Sequence, residues 1–216
     1  MKEFSRRKML LVAGVVFGIG VAAVLLLGPG LLWPANDDIA PRGGRGTPRQ
    51  EAPVSPPDTP LPPLEQPRVV VEKAARRLTV YDGNRAAKSY RVALGRGRGD
   101  KVREGDGCTP EGTFYLCHHN PESSYHLSMG LSYPNVEDAD RGLRDGLINR
   151  AEHLRIVEAI RRKSTPPWNT ELGGEIMIHG HGAGRDWTAG CIALSNGDVT
   201  ELYDALPDGT EVEIRP

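Results

Sequence analysis

Short apolar runs bounded by turn residues are the main pattern in the second two thirds of the chain. They occupy positions 69–71, 78–81, 88–94, 113–117, 176–178, 192–194 and 210–214. Runs of this length between glycine, proline, asparagine and aspartate residues are typical of buried β-strands. The pairs Asp82-Gly83 and Asp208-Gly209 add turn signals of the kind that join strands. The pattern therefore predicts a domain built mainly from strands.

Helical periodicity is limited to two segments of this domain. Asn149 is a favourable N-cap for a helix over 150–162, whose apolar residues recur on one face. A shorter helix is expected over 199–206, with Asn196 and Asp198 as its capping residues. Strands outnumber helices and do not alternate regularly with them. We therefore predict an α+β domain that is mainly antiparallel β, with one or two packed helices.

The N-terminal segment has a different pattern, in which four basic residues within 2–8 precede an apolar run at 9–33. A helix that spans a bilayer needs about 20 apolar residues, and basic residues favour the cytoplasmic side. Residues 1–33 are therefore predicted to form a basic tail and an uncleaved membrane anchor, with the remainder exported. A cleaved signal peptide is the alternative, although its apolar core is usually shorter.

Residues 34–67 are dense in proline, glycine and arginine. Such a composition buries too little apolar surface to fold, so this segment is predicted to be a flexible spacer. Residues 68–216 would then form the folded domain. The whole chain has 27 basic and 28 acidic residues, which gives no sign of a nucleic-acid partner. The sequence predicts no oligomeric state.

Two further patterns were weighed for binding or cross-linking. The glycine- and arginine-rich run at 95–99 lacks the Gly-Lys-Ser/Thr ending and the following helix of a phosphate-binding loop. The chain has three cysteines, and Cys108 and Cys117 are left as a possible disulfide pair. A disulfide requires Cα atoms within about 7 Å, which the sequence does not reveal. The histidines at 118, 119 and 126 lack the short paired spacings of a structural metal site, so no metal and no cofactor are predicted.

The strongest candidate chemistry lies at 175–196, where His179 ends one apolar run and Cys191 precedes the next. A thiol is a nucleophile only as the thiolate, and its free pKa of about 8.5 must be lowered by a neighbour. A histidine within hydrogen-bonding reach can take the thiol proton and later protonate a leaving group. Gly190 allows a sharp turn that would aim backbone N–H groups at one oxyanion. Cysteine–histidine acyl transfer is therefore the leading interpretation.

Two other classes of protein remain open from the residues alone. A zinc hydrolase would use His179 and His181 as a His-x-His pair with a third ligand elsewhere. A non-catalytic wall-binding module would keep Cys191 as an inert buried thiol, since free cysteines are among the most buried residues. Zinc content distinguishes the first alternative, and thiol alkylation distinguishes the second.

The same segment resembles the L,D-transpeptidase catalytic domain of the YkuD type. Members carry His-Gly at a strand end, here His179-Gly180, and Ser/Thr-x-Gly-Cys after a variable loop, here Thr188 to Cys191. The Thr-Pro-Glu-Gly at 109–112 and the Ser-Tyr-Pro-Asn at 132–135 are also similar to one envelope-anchored branch. The resemblance extends over roughly 68–216 and implies a β-rich sandwich. Ala193 stands where many members have an arginine that contacts a substrate carboxylate.

The resemblance implies a function in the cell envelope, on peptidoglycan stem peptides. Cys191 would attack the carbonyl that follows the L-centred third residue of a tetrapeptide, with His179 as base and then acid. Backbone N–H groups of Cys191 and Gly190 would hold the oxyanion, and the Gly180 carbonyl would orient the imidazole. An amine of a neighbouring stem would complete a 3→3 crosslink, whereas attack by water would make the enzyme an L,D-carboxypeptidase.

Substrate contacts are expected from the loop between the two motifs. The candidates are His181, Arg185, Trp187 and Thr188. Each of them has a simpler alternative: Arg185 as a solvated loop residue, Trp187 as a packing residue, and Thr188 as a hydroxyl that stabilises the turn.

Overall fold

The computed structural model describes residues 59–216, and the structural statements that follow refer to this range. Within it no helix combines the length and apolar character that crossing a bilayer requires. The predicted anchor at 1–33 lies outside the described residues, as does the predicted spacer up to residue 58.

Eight strands make up the sheet of the described domain. They are β1 (Pro67–Glu72), β2 (Arg77–Asp82), β3 (Arg85–Arg91), β4 (Gly112–Asn120), β5 (Ser128–Leu131), β6 (Met177–His179), β7 (Ile192–Ala193) and β8 (Glu211–Arg215). Their order in the sheet is β3-β2-β1-β8-β4-β5-β6-β7. Among these strands, β1 pairs with β8 and β6 with β7 in parallel, and the other pairs are antiparallel. The mainly β prediction is confirmed.

Strand β4 belongs to two parts of this sheet. Its first residues pair with β8, as Phe114 does with Val212, whereas Leu116 pairs with Leu131 of β5. The register shifts between Leu116 and His118, where the strand passes from one part to the other. We call β3-β2-β1-β8-β4 the long-strand half and β5-β6-β7 the short-strand half.

The two outer ends of the sheet meet. Ala93, just after β3, and Ala193 of β7 exchange two backbone hydrogen bonds, each 2.8 Å between N and O. The sheet therefore curves around one apolar core. Its fully buried side chains include those of Leu78, Leu116, Ile178, Ile192 and Leu194.

Three helices accompany the sheet, where one or two were expected: α1 (Val136–Arg144), α2 (Arg150–Arg161) and α3 (Asn196–Ala205). Helix α2 matches its prediction, with Asn149 as N-cap and Ile156 fully buried. Helix α1 was not predicted because its sequence is mostly charged and lacks an apolar stripe. Asn135 and Asp138 form a capping box that starts it, since each side chain bonds to the other's backbone N–H.

Three other expectations are changed by the structure. Helix α3 begins earlier than residue 199, and its N-cap is Ser195 rather than Asn196 or Asp198. All three cysteines are free, so the possible Cys108–Cys117 disulfide is absent.

Packing against the core also begins upstream of residue 68. Leu61 and Leu64 pack onto the core, and the Leu61 N–H donates to the Glu201 carboxylate. This contact fixes the chain directly before β1.

Candidate active site

His179 and Cys191 are brought together by the pairing of two very short strands. Strand β6 ends at His179, and Cys191 directly precedes β7. The parallel register pairs Ile178 with Ile192, which places Cys191 beside Met177. Because side chains alternate along a strand, Met177, His179 and Cys191 all point to one face of the sheet. The three residues line one cavity of about 390 Å³, which we call the histidine cavity.

The imidazole of His179 is held in one orientation. Its Nδ1 lies 2.8 Å from the Gly180 carbonyl oxygen. A carbonyl can only accept, so Nδ1 carries the hydrogen and Nε2 keeps a lone pair for proton transfer. Burial lowers the pKa of His179, and the neighbouring His181 lowers it further, although the Gly180 carbonyl acts in the opposite direction. The resting imidazole is therefore neutral at neutral pH.

Gly180 stands where a larger residue would not fit. A Cβ there would lie 2.6 Å from Asn196 Oδ1 and 2.8 Å from the Tyr125 carbonyl oxygen. Asn196 Oδ1 instead accepts the His181 N–H at 2.9 Å, which fixes the chain just after the catalytic histidine candidate. The predicted role of Gly180 in orienting His179 has this contact geometry as its support.

The thiol of Cys191 lies in a half-buried position and makes two weak hydrogen bonds. It donates to the Glu175 carbonyl oxygen at 3.5 Å and accepts the Met177 N–H at 3.4 Å. Burial raises its pKa, and the Glu175 carboxylate adds to this, while the Met177 N–H and Lys101 lower it. The expectation of a lowered thiol pKa is therefore wrong for the resting protein, because burial outweighs the favourable neighbours.

The turn before Cys191 is shaped by Gly190 and Thr188. Gly190 has a φ of 138°, and a Cβ there would lie 2.7 Å from the Cys108 carbonyl oxygen. The Thr188 hydroxyl accepts the Gly190 N–H at 3.2 Å and donates to the Cys191 carbonyl oxygen at 2.7 Å. Thr188 is buried and its hydroxyl is used by the turn, which matches the simpler alternative for this residue. Gly190 N–H must leave Thr188 before it can donate to an oxyanion.

The remaining predicted contact residues surround a different cavity. His181, Arg185 and Trp187 line a space of about 490 Å³ whose lining does not include Cys191. The Trp187 Nε1–H donates to the Gly182 carbonyl oxygen at 3.0 Å, and its ring centroid is 5.5 Å from that of His179. Trp187 is thus a wall of the histidine site, whereas Arg185 is not brought to the thiol.

Two aromatic residues at the site were not predicted. The Tyr125 ring lies 4.6 Å from the His179 ring between centroids and is 44% exposed. Trp168 lines the histidine cavity and packs against Gly174, where a Cβ would lie 2.3 Å from its own Cβ. Both residues lie in loops without periodicity. The Gly173-Gly174 pair was the available signal for close packing.

A metal centre has little support in the described range. Among residues 59–216, no group of three or more His, Cys, Asp or Glu side chains is placed to hold an ion. The zinc alternative therefore lacks its third ligand there. The arrangement can instead perform proton transfer between a neutral imidazole and a thiol.

Comparison with solved structures gives several similar chains. The helical cell shape determining protein Pgp2 from Campylobacter jejuni is 26% identical, with a TM-score of 0.49 over 69% of this chain and 47% of that one. An L,D-transpeptidase from Xylanimonas cellulosilytica is 16% identical, with a TM-score of 0.44 over 73% and 64%. L,D-transpeptidase 1 of Mycobacterium tuberculosis is 14% identical, with a TM-score of 0.41 over 69% and 61%.

This chain covers less than two thirds of the length of each of these proteins. No curated protein matches it significantly. A family model gives the decisive match, since the model for the L,D-transpeptidase catalytic domain (YkuD) aligns with residues 66–214. These residues contain the paired strands, the His179-Gly180 step and the turn before Cys191. The chain therefore belongs to the YkuD family of L,D-transpeptidase catalytic domains.

Proposed function

We propose that this protein is a cysteine-dependent peptidoglycan L,D-transpeptidase that acts on stem tetrapeptides through a thioester intermediate. The supporting observation is that Cys191 and His179 line one cavity from the same face of two paired strands. Membership of the YkuD family makes a peptide of the cell wall the natural substrate class.

The resting site favours a neutral pair rather than a preformed ion pair. Burial raises the pKa of Cys191 and lowers that of His179, so both groups are uncharged before substrate binds. His179 Nε2 would take the thiol proton as Sγ attacks the carbonyl carbon after the third residue. The C–N bond would then break, and the imidazolium would give its proton to the departing amine of D-alanine.

The second half of the reaction reverses these transfers. An amine of a neighbouring stem would attack the thioester carbonyl and give a proton to His179 as the thiolate leaves. The thiolate would recover that proton, and a 3→3 crosslink would be formed. Attack by water at the same carbonyl would give a shortened stem, which is the carboxypeptidase alternative.

Oxyanion stabilisation would come from the turn at residues 190–191. The Cys191 N–H is the first donor, and the Gly190 N–H becomes the second once it leaves the Thr188 hydroxyl. A donor of this kind typically contributes about 2.7–4 kcal/mol to the transition state. The Thr188 bond would keep the turn in shape between reactions.

Two cavities that meet at Cys191 favour transfer to an amine over simple hydrolysis. One is the histidine cavity, and the other, of about 340 Å³, is lined by Lys101 and Glu104. Trp168, Glu175 and Cys191 belong to both linings. Peptide could therefore occupy both sides of the nucleophile at once.

We also propose that the domain acts at the outer face of the cytoplasmic membrane. Residues 1–33 would anchor the protein there, and residues 34–67 would give reach toward the wall, because basic residues precede the apolar run. Protease added to spheroplasts should digest the domain. Protection of the domain would contradict this location.

Acylation by a carbapenem tests the nucleophile. The full-length chain is incubated with the compound, and its intact mass is recorded. We expect a mass increase equal to one carbapenem, which is lost when Cys191 is alkylated first. Full acylation of protein with alkylated Cys191 would contradict the proposal.

A tetrapeptide assay separates the two outcomes of the thioester. The peptide is supplied with and without an added amine acceptor, and products are identified by mass. A transpeptidase releases D-alanine and forms the amine adduct, whereas a carboxypeptidase gives only the tripeptide at any acceptor concentration.

A further inference from the structure

The second cavity at Cys191 has an unusual set of charges for a space beside a nucleophile. We call it the lysine cavity. Lys101 is only 3% exposed yet contributes to its lining, together with Glu104 and Glu175. Burying a lysine is costly unless its charge is compensated or used. None of these three residues was singled out by the sequence motifs.

Lys101 is held in place by its own loop. Its Nζ donates to the Arg103 carbonyl oxygen at 2.9 Å and to Asp106 Oδ1 at 3.1 Å. Asp106 Oδ2 also accepts the N–H groups of Val102 and Arg103, so the loop is tied closely around this carboxylate. An ammonium group has three donors, and these two bonds leave one for a ligand in the cavity.

The lining carries both signs of charge. Lys101 acts electrostatically on the Cys191 thiol, and so does the Glu175 carboxylate, in the opposite sense. A ligand with a carboxylate alone would meet Glu104 and Glu175 as well as Lys101. A ligand group that bears a carboxylate and an ammonium together can satisfy both kinds of neighbour.

The reaction geometry decides which part of the substrate enters this cavity. His179 lines the other cavity and must protonate the leaving amine, so the terminal residue belongs on the histidine side. The acyl part of the donor, which ends at the third residue, then lies toward the lysine cavity. Its third side chain is the group nearest the reacting carbonyl on that side.

We propose that the lysine cavity selects donors whose third-residue side chain ends in both a carboxylate and an ammonium group. Lys101 binds the carboxylate, and Glu104 with Glu175 receives the ammonium. This specificity rests on the proposed acyl-transfer function of Cys191. It gives the chain a carboxylate contact where Ala193 replaces the arginine of many family members.

Two donor tetrapeptides test the specificity directly. They differ only at the third side chain, which ends either in an ammonium and a carboxylate or in an ammonium alone. We expect the wild-type chain to prefer the first. Lys101→Met should lower kcat/KM for that donor by about tenfold, mainly through KM, and leave the second unchanged. Lys101→Arg should retain most of the preference. No preference in the wild-type chain, or equal losses on both donors, would overturn the proposal.

A second measurement does not depend on peptide turnover. Cys191 is alkylated with anionic iodoacetate and with neutral iodoacetamide, and the ratio of the two rates is taken. The ratio cancels changes in thiol ionisation that are common to both reagents. Lys101→Met should lower the ratio by about three- to tenfold, and Glu175→Gln should raise it. An unchanged ratio in both variants would show that neither charge faces the thiol and would overturn the proposal.

Two controls separate charge from loop structure. Asp106→Asn weakens the loop bonds but keeps the ammonium, so the alkylation ratio should not fall. Lys163→Met removes a charge from an exposed lysine and should leave the ratio unchanged. If Asp106→Asn lowered the ratio as much as Lys101→Met, Lys101 would be a structural residue. If neither donor turned over while the ratio changed as expected, the proposed reaction would fail and the charged cavity would stand.

Discussion

The long-strand half and the short-strand half of the sheet serve different purposes. Strands of the first have five to nine residues, whereas β5, β6 and β7 have four, three and two. Non-glycine residues with positive φ flank the short strands, at His126 (75°), Glu175 (52°) and His181 (73°). Such conformations are costly for residues with a side chain and are concentrated at functional sites. The candidate chemistry therefore lies where regular pairing ends.

This difference has a physical reason. A long strand with a continuous register fixes side chains well but commits its backbone N–H groups to the ladder. A strand that stops at His179 keeps the imidazole on a fixed base while the next residues turn away. The turn at Gly190 does the same for Cys191. The long-strand half should accordingly set stability, and the short-strand half should set activity.

The largest expected effect is the loss of chemistry in Cys191→Ala. We expect no carbapenem adduct and no 3→3 product in muropeptides, with the free energy of unfolding nearly unchanged, because the thiol makes only two weak bonds. Cys117→Ala is the matched control and should keep full acylation. Undiminished 3→3 products from Cys191→Ala would refute the assignment of the nucleophile.

The next effect compares the two histidines of the same loop. His179 ends a strand and is bonded to the Gly180 carbonyl, whereas the exposed His181 lies beyond it. We expect His179→Ala to lower the acylation rate by at least about 100-fold, the lower end for lost acid–base catalysis. His181→Ala should cost much less. If His181→Ala were the more damaging change, the assignment of the base would be wrong.

A change in the long-strand half should have the opposite profile. Leu78 of β2 is fully buried in the core. Leu78→Ala should lower the free energy of unfolding by about 2–5 kcal/mol through lost contacts and a cavity. Acylation of the folded protein should keep its rate. Leu154→Ala on the surface of α2, where the side chain is 52% exposed, should change stability little. A tenfold slower acylation in Leu78→Ala would show that the two halves are not separable.

Much of the long-strand half could be predicted from the sequence. Apolar runs and the Asp82-Gly83 turn are local signals, and the strands formed where they predicted. The positions of His179 and Cys191 also followed from local pattern, since each adjoins an apolar run. Helix α1 was missed because a capping box alone starts a helix that lacks an apolar stripe.

The rest of the site depends on contacts between distant parts of the chain. Tyr125 and Trp168 reach the nucleophile pair only through folding, and no periodicity marks them. The direction of the Cys191 pKa depends on burial, which the motif does not express. Lys101 is separated from Cys191 by 90 positions in the sequence, so only the folded structure reveals the charge beside the thiol.

The rate of Cys191 acylation as a function of pH tests the central claim most directly. Because burial lowers the pKa of His179, the neutral base persists at lower pH than for an ordinary histidine, whose pKa is about 6.5. The rate of carbapenem adduct formation, followed by intact mass, should rise through a pKa below that value and be level by neutral pH. His179→Ala should lose this rise and accelerate only as the thiol itself ionises, at alkaline pH. A wild-type rate that follows thiol ionisation alone, or the same acidic rise in His179→Ala, would contradict the account.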